Sequence, residues 1–289
     1  MYKYSVVIPH YNSAELLRRM LASIPERDDI QIIVADDGSN INEVNTLKTL
    51  THKNLEILFL EHVNAGNARN KGLEHATGEY FIAVDSDDEF APKAFDIFDK
   101  YIDSQVFDCL FFCIKIYDEN GQVINDNISN KSVRSYLKKA NHDTEILIRF
   151  RNMVTWNKLL KMSFIRENNI IFESCNINND VFYTFQIGLK LKNFIVIPDV
   201  LYHVIKTPSS ITRRKRDINR EFEFYLSRQK QNGFYRKLGL MKFFRHDILY
   251  VPYMLLKHGS VGAFKFFRLL WQRRNERTEA RRAYLCLFE

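Results

Sequence analysis

Three aspartates stand within four residues, Asp85-Ser86-Asp87-Asp88, at the end of an apolar run. Two unit charges about 4 Å apart repel by about 1 kcal/mol in water and about 4 kcal/mol at the effective dielectric of a protein surface. Such a cluster calls for a cation. If the backbone stays extended through Ser86, Asp85 and Asp87 project to one side and offer the hard oxygen ligands that Mg²⁺ or Mn²⁺ prefers. The alternative is a turn in which Asp88 caps the helix after Pro92. Asp36 and Asp37, followed by Gly38 and Ser39, close another apolar run. A carboxylate pair there either accepts hydrogen bonds from a nucleobase or ribose, or makes an Asx turn and a helix cap. The segment Asn64-Ala65-Gly66-Asn67-Ala68-Arg69-Asn70-Lys71-Gly72 follows a third run and can set backbone N–H groups and Arg69 against a phosphate at a helix N-terminus. Pro9, His10, Tyr11 and Asn12 close the first run of the chain.

These clusters need a scaffold, and the apolar pattern predicts one. Residues 4–9, 30–35, 55–60 and 79–85 read as strands that are continuously apolar, as expected when helices cover both faces of a sheet. Helices are predicted between them over 15–24, with Ser13 at the N-cap, over 42–50 and over 66–76. The class is α/β, with a Rossmann-like, mostly parallel central sheet and flanking helices. Each polar cluster then lies at a strand's carboxyl end, where open sheets bind ligands. Beyond Asp85 the pattern predicts a helix over 92–102 with Pro92 in its first turn and a strand over 107–117. It also predicts a type I′ hairpin at Asn120-Gly121, a helix over 181–191 and strands over 194–198 and 201–206. From Arg216 the chain reads as helical, basic and aromatic.

With 46% hydrophobic and 27% charged residues, and only ten Gly and six Pro, the 289 residues bury one large core or two small ones, which excludes disorder and fibrous repeats. Cys109, Cys113, Cys175 and Cys286 sit in apolar stretches and include no Cys-x-x-Cys pair, so neither a zinc cluster nor a disulfide framework is expected. No stretch approaches the ~18 apolar residues of a spanning helix, and Met1 runs straight into the first strand with no leader pattern. A cytoplasmic protein is expected. Charge is unevenly spread: residues 213–289 carry 19 Lys/Arg against 7 Asp/Glu, a net +12, whereas residues 1–212 carry 23 against 28, a net −5. A basic tail on an acidic body signals an anionic partner.

In this order, each at a strand end, the four clusters resemble the inverting glycosyltransferases of family 2, which have the GT-A fold. The likeness is strong over roughly the first third of the chain. It continues more thinly to Thr212 through Trp156-Asn157-Lys158-Leu159, Asn179-Asp180-Val181-Phe182, Tyr202-His203 and Ser210-Ile211-Thr212. It implies a nucleotide-sugar-binding half over 1–105, an acceptor-binding half over 106–212 and a helical region over 213–289. By the resemblance, Pro9 and Tyr11 line a uracil and ribose pocket, with Tyr11 packed on the base. Asp37 accepts the uracil N3–H with Asp36 in support, and Arg69 sits against the base or phosphate. Asp85, with Ser86 beside it, reaches the ribose or the metal shell, and Asp87 binds the Mn²⁺ or Mg²⁺ that bridges the two phosphates. Asp180 matches the family's general base, although the acidic pair common there is Asn179-Asp180 here; the alternative for Asp180 is a helix N-cap. His203 is a candidate metal or diphosphate ligand, or else a core or surface group. Trp156 is a candidate acceptor platform, or else core packing.

Aromatic residues such as Phe243, Phe244, Phe264 and Trp271 alternate with Lys and Arg over 232–289. Helices of this kind lie well in an anionic membrane interface, and the family often acts on lipid-linked oligosaccharides, so a tail peripheral on the inner face of the cell membrane is implied; the alternative is an ordinary helical subdomain. The pI near 9.1 also fits a nucleic-acid-binding protein. The acidic body and a tail matching no such module argue against it, so no nucleic acid is expected. A non-catalytic nucleotide-sugar binder would not need Asp87 and Asp180. A nucleotide-sugar pyrophosphorylase would open with a glycine-rich basic loop unlike Pro9-His10-Tyr11-Asn12. No Gln-x-x-Arg-Trp of processive synthases is present, which leaves transfer of one sugar per event. The expectation is an inverting, metal-dependent transfer of a hexosyl or N-acetylhexosaminyl group from a UDP-sugar to a saccharide or lipid-linked saccharide acceptor. The product is a β-glycosidic bond in surface polysaccharide biosynthesis.

Overall fold

Strands covered by helices on both faces have no solvent side toward which to alternate, and the continuous apolar runs form the centre of the sheet for that reason. A computed structural model describes residues 1–124, 128–206 and 217–288. The first elements are β1 (Tyr4–His10), α1 (Ala14–Ala22), β2 (Ile30–Asp36), α2 (Ile41–Leu47), β3 (Leu55–Phe59), α3 (Ala65–His75) and β4 (Tyr80–Ala83). There follow β5 (Glu89–Phe90), α4 (Ala94–Ser104), β6 (Cys109–Asp118), β7 (Val123–Ile124), α5 (Ile128–Lys138) and α6 (His142–Arg151). Next come β8 (Lys158–Lys161), α7 (Met162–Glu167), α8 (Asn179–Lys190) and β9 (Phe194–Lys206), and last α9 (Ile218–Lys237), α10 (Tyr250–Gln272) and α11 (Arg274–Ala283). The chain divides into two compact units, Met1–Pro208 and Ser209–Glu289.

One sheet runs through the first unit in the order β3-β2-β1-β4-β8-β6-β9-β5, with β7 beside β6. β1, β2, β3 and β4 are mutually parallel, and β6 and β9 form a second parallel pair. β8 joins the two blocks antiparallel to both β4 and β6, and β5 lies antiparallel to β9. The sheet is therefore mixed, and parallel where the four clusters sit. Successive side chains of β1 and β2 enter opposite layers. Val6, Ile8, Ile32 and Val34 pack with Leu17 and Met20 of α1 and Phe95 and Phe98 of α4. Val7 and Ile33 pack with Phe164 of α7 and Tyr183 and Ile187 of α8. Pro9 lies in this central strand without loss. The N–H of Val84 bonds to the carbonyl of Val7 and β4 then leaves the sheet, so the edge of β1 that Pro9 faces carries no further ladder bond.

Several local expectations are corrected. The strands over 194–198 and 201–206 are one strand, β9, which takes up Pro198 in a register break between Phe111↔Val196 and Cys113↔Val200, where no ladder N–H is required. α4 starts at Ala94 after Lys93 in a left-handed conformation (φ 63°), so Pro92 precedes the helix. The hairpin forms, but among its turn residues only Gly121 has positive φ and its N–H bonds to the Asp118 carbonyl, the pattern of a turn closed by a glycine bulge. Ser13 stands at the N-cap of α1 without capping it; the Ala14 N–H goes to Glu43 Oε2 at 2.8 Å. β5 and β8 were not anticipated, being two and four residues long and too short to show a period.

In the second unit α9 and α10 enclose a core of Phe222, Tyr225, Tyr250, Met254, Ala263 and Phe266. α10 is broken at Gly259, whose φ of 66° lies outside the helical region. Among the described residues no helix is long and apolar enough to cross a membrane.

α3 lies so close to β1 that a Cβ on Gly72 would meet Val7 Cγ1 at 2.4 Å. Overpacking of this kind costs about 1–3 kcal/mol, so Gly72→Ala is expected to lower the thermal midpoint by several degrees. An unchanged melt would contradict this packing.

Candidate active site

The β4 strand delivers Asp85 to a turn closed by the Asp88 N–H on the Asp85 carbonyl. The backbone is thus not extended through Ser86. The turn nevertheless gathers carboxylate oxygens of Asp85, Asp87 and Asp88 within 4.8 Å of one another. Each is held from elsewhere in the chain. Asp85 pairs with Arg69 Nη2 at 2.6 Å, and its N–H donates to Tyr202 Oη at 3.0 Å. Asp88 is buried and does not cap α4: its Oδ1 accepts the Ile205 N–H at 2.8 Å. Arg19 donates to the Asp87 carbonyl, and Ser86 Oγ meets Ser13 Oγ at 3.2 Å. Burial, and then repulsion from Asp85, pushes the Asp87 carboxyl up to about 6. Burial and both neighbours push Asp88 well above the carboxylate range.

Three hard oxygen donors, with burial opposing the charge of Asp87 and Asp88, fit Mg²⁺ or Mn²⁺. His203 stands apart from that trio, its Nδ1 3.2 Å from Glu89 Oε1 across the β5–β9 pair and its ring edge-on to Tyr117. Asp88 is the third carboxylate instead, and its place beside Asp87 in sequence was the available signal.

The ends of β1 and β2 form a second polar group. His10 Nδ1 lies 2.8 Å from Asp36 Oδ1, and its Nε2 accepts the Ser13 N–H at 3.2 Å, which leaves the proton on Nδ1. Asp36 also accepts from the Ser39 hydroxyl at 2.5 Å and the Ser39 N–H at 3.2 Å. Burial opposes its charge, but these hydrogen bonds prevail and hold its carboxyl below the usual range. Asp36 therefore faces inward and supports the turn. Asp37 accepts the Val63 N–H at 2.8 Å, with His62 Nδ1 3.1 Å from its other oxygen. Tyr11, 49% exposed, stacks on His62 with centroids 4.6 Å apart. His62 was not anticipated, although it follows the carboxyl end of β3, where the strand-end rule would have found it.

Arg69 ties this side of the sheet to the second half of the unit. The buried guanidinium donates to Asp85 and, at 2.8 Å, to Asn179 Oδ1 at the start of α8. Gly66 permits the approach: a Cβ there would lie 2.1 Å from the Glu173 carbonyl and 3.0 Å from Asn179 Cβ. Asp180 follows in the first turn of α8, and the N-cap position belongs to Asn178, so the cap alternative for Asp180 does not hold. Burial pushes the Asp180 carboxyl up to about 6, against the opposing pull of Arg69 and of a backbone hydrogen bond.

A family model, "Glycosyl transferase family 2", matches residues 5–167, more than half of the chain. The chain belongs to glycosyl transferase family 2. Among its relatives is the poly(ribitol-phosphate) beta-N-acetylglucosaminyltransferase TarS of Staphylococcus aureus, 26% identical over 211 residues, covering 70% of this chain and 35% of the relative. A poly(ribitol-phosphate) beta-glucosyltransferase of Bacillus spizizenii is 28% identical over 215 residues, covering 70% of this chain and 32% of the relative. This family 2 chain thus spans about a third of the length of these curated relatives. The crystal structure of S. aureus TarS 1–349 in complex with UDP-GlcNAc superposes with a TM-score of 0.63 at 21% identity, covering 80% of this chain and 65% of that one. The shared fold is the α/β GT-A fold, here with a helical region at the C-terminal end.

Trp156, the candidate acceptor platform, does not stand on the surface. It is 8% exposed and stacks in the core on Tyr202, centroids 5.6 Å apart and planes 11° apart. It holds the ring whose hydroxyl oxygen accepts the Asp85 N–H. The Ser210-Ile211-Thr212 element of the family likeness lies outside the described residues.

Tyr202→Phe keeps the stack and removes only the hydroxyl. Leaving the Asp85 N–H without its partner costs about 1–3 kcal/mol. The thermal midpoint should fall by several degrees with little change in far-UV circular dichroism; an unaltered midpoint would remove Tyr202 from the support of the turn.

Proposed function

We propose that this family 2 chain transfers one sugar from a UDP-sugar to a hydroxyl of a saccharide or lipid-linked saccharide, with inversion and with dependence on a divalent ion. The observation that carries the reading is the Arg69 bridge, which puts the carboxylate turn and the start of α8, with Asp180, on one buried guanidinium. Residues 1–105 would hold the donor and 106–212 the acceptor. The UDP donor is supported by the TarS complexes with UDP and with UDP-GlcNAc, and a polysaccharide acceptor and β-linkage by the relatives' names. A place at the cytoplasmic face of a membrane, in surface polysaccharide assembly, completes the reading.

In this mechanism Tyr11 packs on the base and Asp37 accepts its N–H, while Asp36 and His10 keep the turn below rigid. Asp85, Asp87 and Asp88 would hold Mg²⁺ or Mn²⁺, which when bound offsets negative charge growing on the departing diphosphate. Asp180 takes the proton of the acceptor hydroxyl as its oxygen attacks the anomeric carbon. The bond from that carbon to the β-phosphate oxygen breaks on the opposite face, and the electron pair leaves with UDP. Arg69 stays beside the growing charge, paired with Asp85.

Asp180→Asn should keep the thermal shift that UDP with Mn²⁺ produces and lose transfer by about a thousandfold or more; near-normal turnover would sink the base assignment. The raised Asp180 carboxyl also sets a pH dependence. Because the base form is the ionised one, kcat/KM should fall about tenfold per unit as pH drops below about 6, read from a pH–rate profile. The same shift favours the protonated group in the folded state, so Asp180's contribution to stability declines as pH rises from about 4 to 6. A rate independent of pH down to about 4 would exclude Asp180 as the titrating base.

A further inference from the structure

The second unit exposes an apolar face that its own core leaves uncovered. In the first half of α10, Tyr250 and Met254 turn inward, while Val251, Leu255 and Leu256 face solvent, Leu256 with 89% of its surface exposed. Gly259 breaks the helix, and the second half repeats the arrangement. Ala263 and Phe266 are buried, and Val261, Phe264, Arg268 and Trp271 recur at helical spacing on the opposite face, Phe264 69% and Trp271 71% exposed. The charge on this stretch is of one sign. Between Asp247 and Glu276 there is no carboxylate, and there are five cations, Lys257, Lys265, Arg268, Arg273 and Arg274. Lys257 pairs with Glu221 and Arg273 with Glu276; Lys265, Arg268 and Arg274 have no ion pair among the described residues.

We propose that α10 is a docking surface for an anionic bilayer, lying in the plane of the interface with Leu255, Leu256, Phe264 and Trp271 in the acyl boundary and Lys265, Arg268 and Arg274 against lipid phosphates. Exposed apolar side chains beside cations, with no acid among them, match the chemistry of that boundary on both counts. A second copy of the chain matches only one, since its own α10 would bring like charges together. α10 does not span, because no described helix is long and apolar enough to do so. The inference rests on the proposed membrane-borne acceptor only for its setting; the surface itself is argued from α10.

The test uses the full chain with vesicles of phosphatidylcholine, with and without phosphatidylglycerol, in sedimentation and fluorescence. The two tryptophans separate cleanly, since Trp156 is already buried and a blue shift reports Trp271. The chain should bind the anionic vesicles about tenfold or more tightly than the neutral ones, less at raised salt. Leu256→Glu and Phe264→Glu, both at exposed positions, should each lower binding by about tenfold or more. Absence of binding to anionic vesicles, or binding unmoved by both substitutions, overturns the proposal. Self-association abolished by Phe264→Glu, with no vesicle binding, assigns the face to a second copy and overturns it as well. The UDP-dependent thermal shift, measured on the same samples, keeps the two readings apart: a shift retained while vesicle binding fails confines the failure to α10, and a shift absent while binding succeeds sinks the donor reading alone.

Discussion

Crowding of negative charge at the end of β4 is the constraint around which the site is built. Asp85, Asp87 and Asp88 lie within one turn, and burial pushes the last two toward their neutral forms. A turn under such repulsion opens unless other parts of the chain hold it. Here Arg69 of α3 neutralises Asp85, Tyr202 and Ile205 of β9 hold Asp85 and Asp88, and Arg19 of α1 holds the Asp87 carbonyl. Three separate elements thus converge on one turn of four residues.

Close approach of backbones is the second requirement, because a guanidinium spans only a few ångströms. Arg69 reaches both Asp85 and Asn179 only because Gly66 lets the Glu173 carbonyl come where a side chain would otherwise stand. The aromatic stack of Trp156 on Tyr202 does similar work from below, fixing a phenol ring whose oxygen accepts the Asp85 N–H of the turn. The residues that touch substrate in the proposed reaction are few. Those that keep them apart at the right distances are drawn from the whole of the first unit.

Local pattern and tertiary position coincide at the strand ends. Pro9, Tyr11, Asp36, Asp37, Arg69, Asp85 and Asp87 follow continuous apolar runs, and an open parallel sheet puts such residues at one edge. Local pattern does not separate two roles that share one residue type. Trp156 and His203 follow or flank apolar runs just as ligand-binding residues do, yet one packs in the core and the other pairs with Glu89. For Asp88 the alternative of a cap stood open because an acid before a helix is so often one, and its burial against Ile205 closes that alternative.

By itself the amino-acid sequence determined the parallel block β1–β4, its helices and the polar ends of its strands, because two-sided burial and strand-end exposure leave a signature in neighbouring residues. It also determined the uneven charge of the chain, with the basic stretch free of acids over α10. Only the tertiary structure decided that β8 joins the two parallel blocks, that Asn179 lies 110 residues from its partner Arg69, and that Ile205 lies 117 residues from Asp88. Those pairings depend on strand register and on which backbones can touch. Register is set by packing across the whole sheet, which no short window of sequence contains.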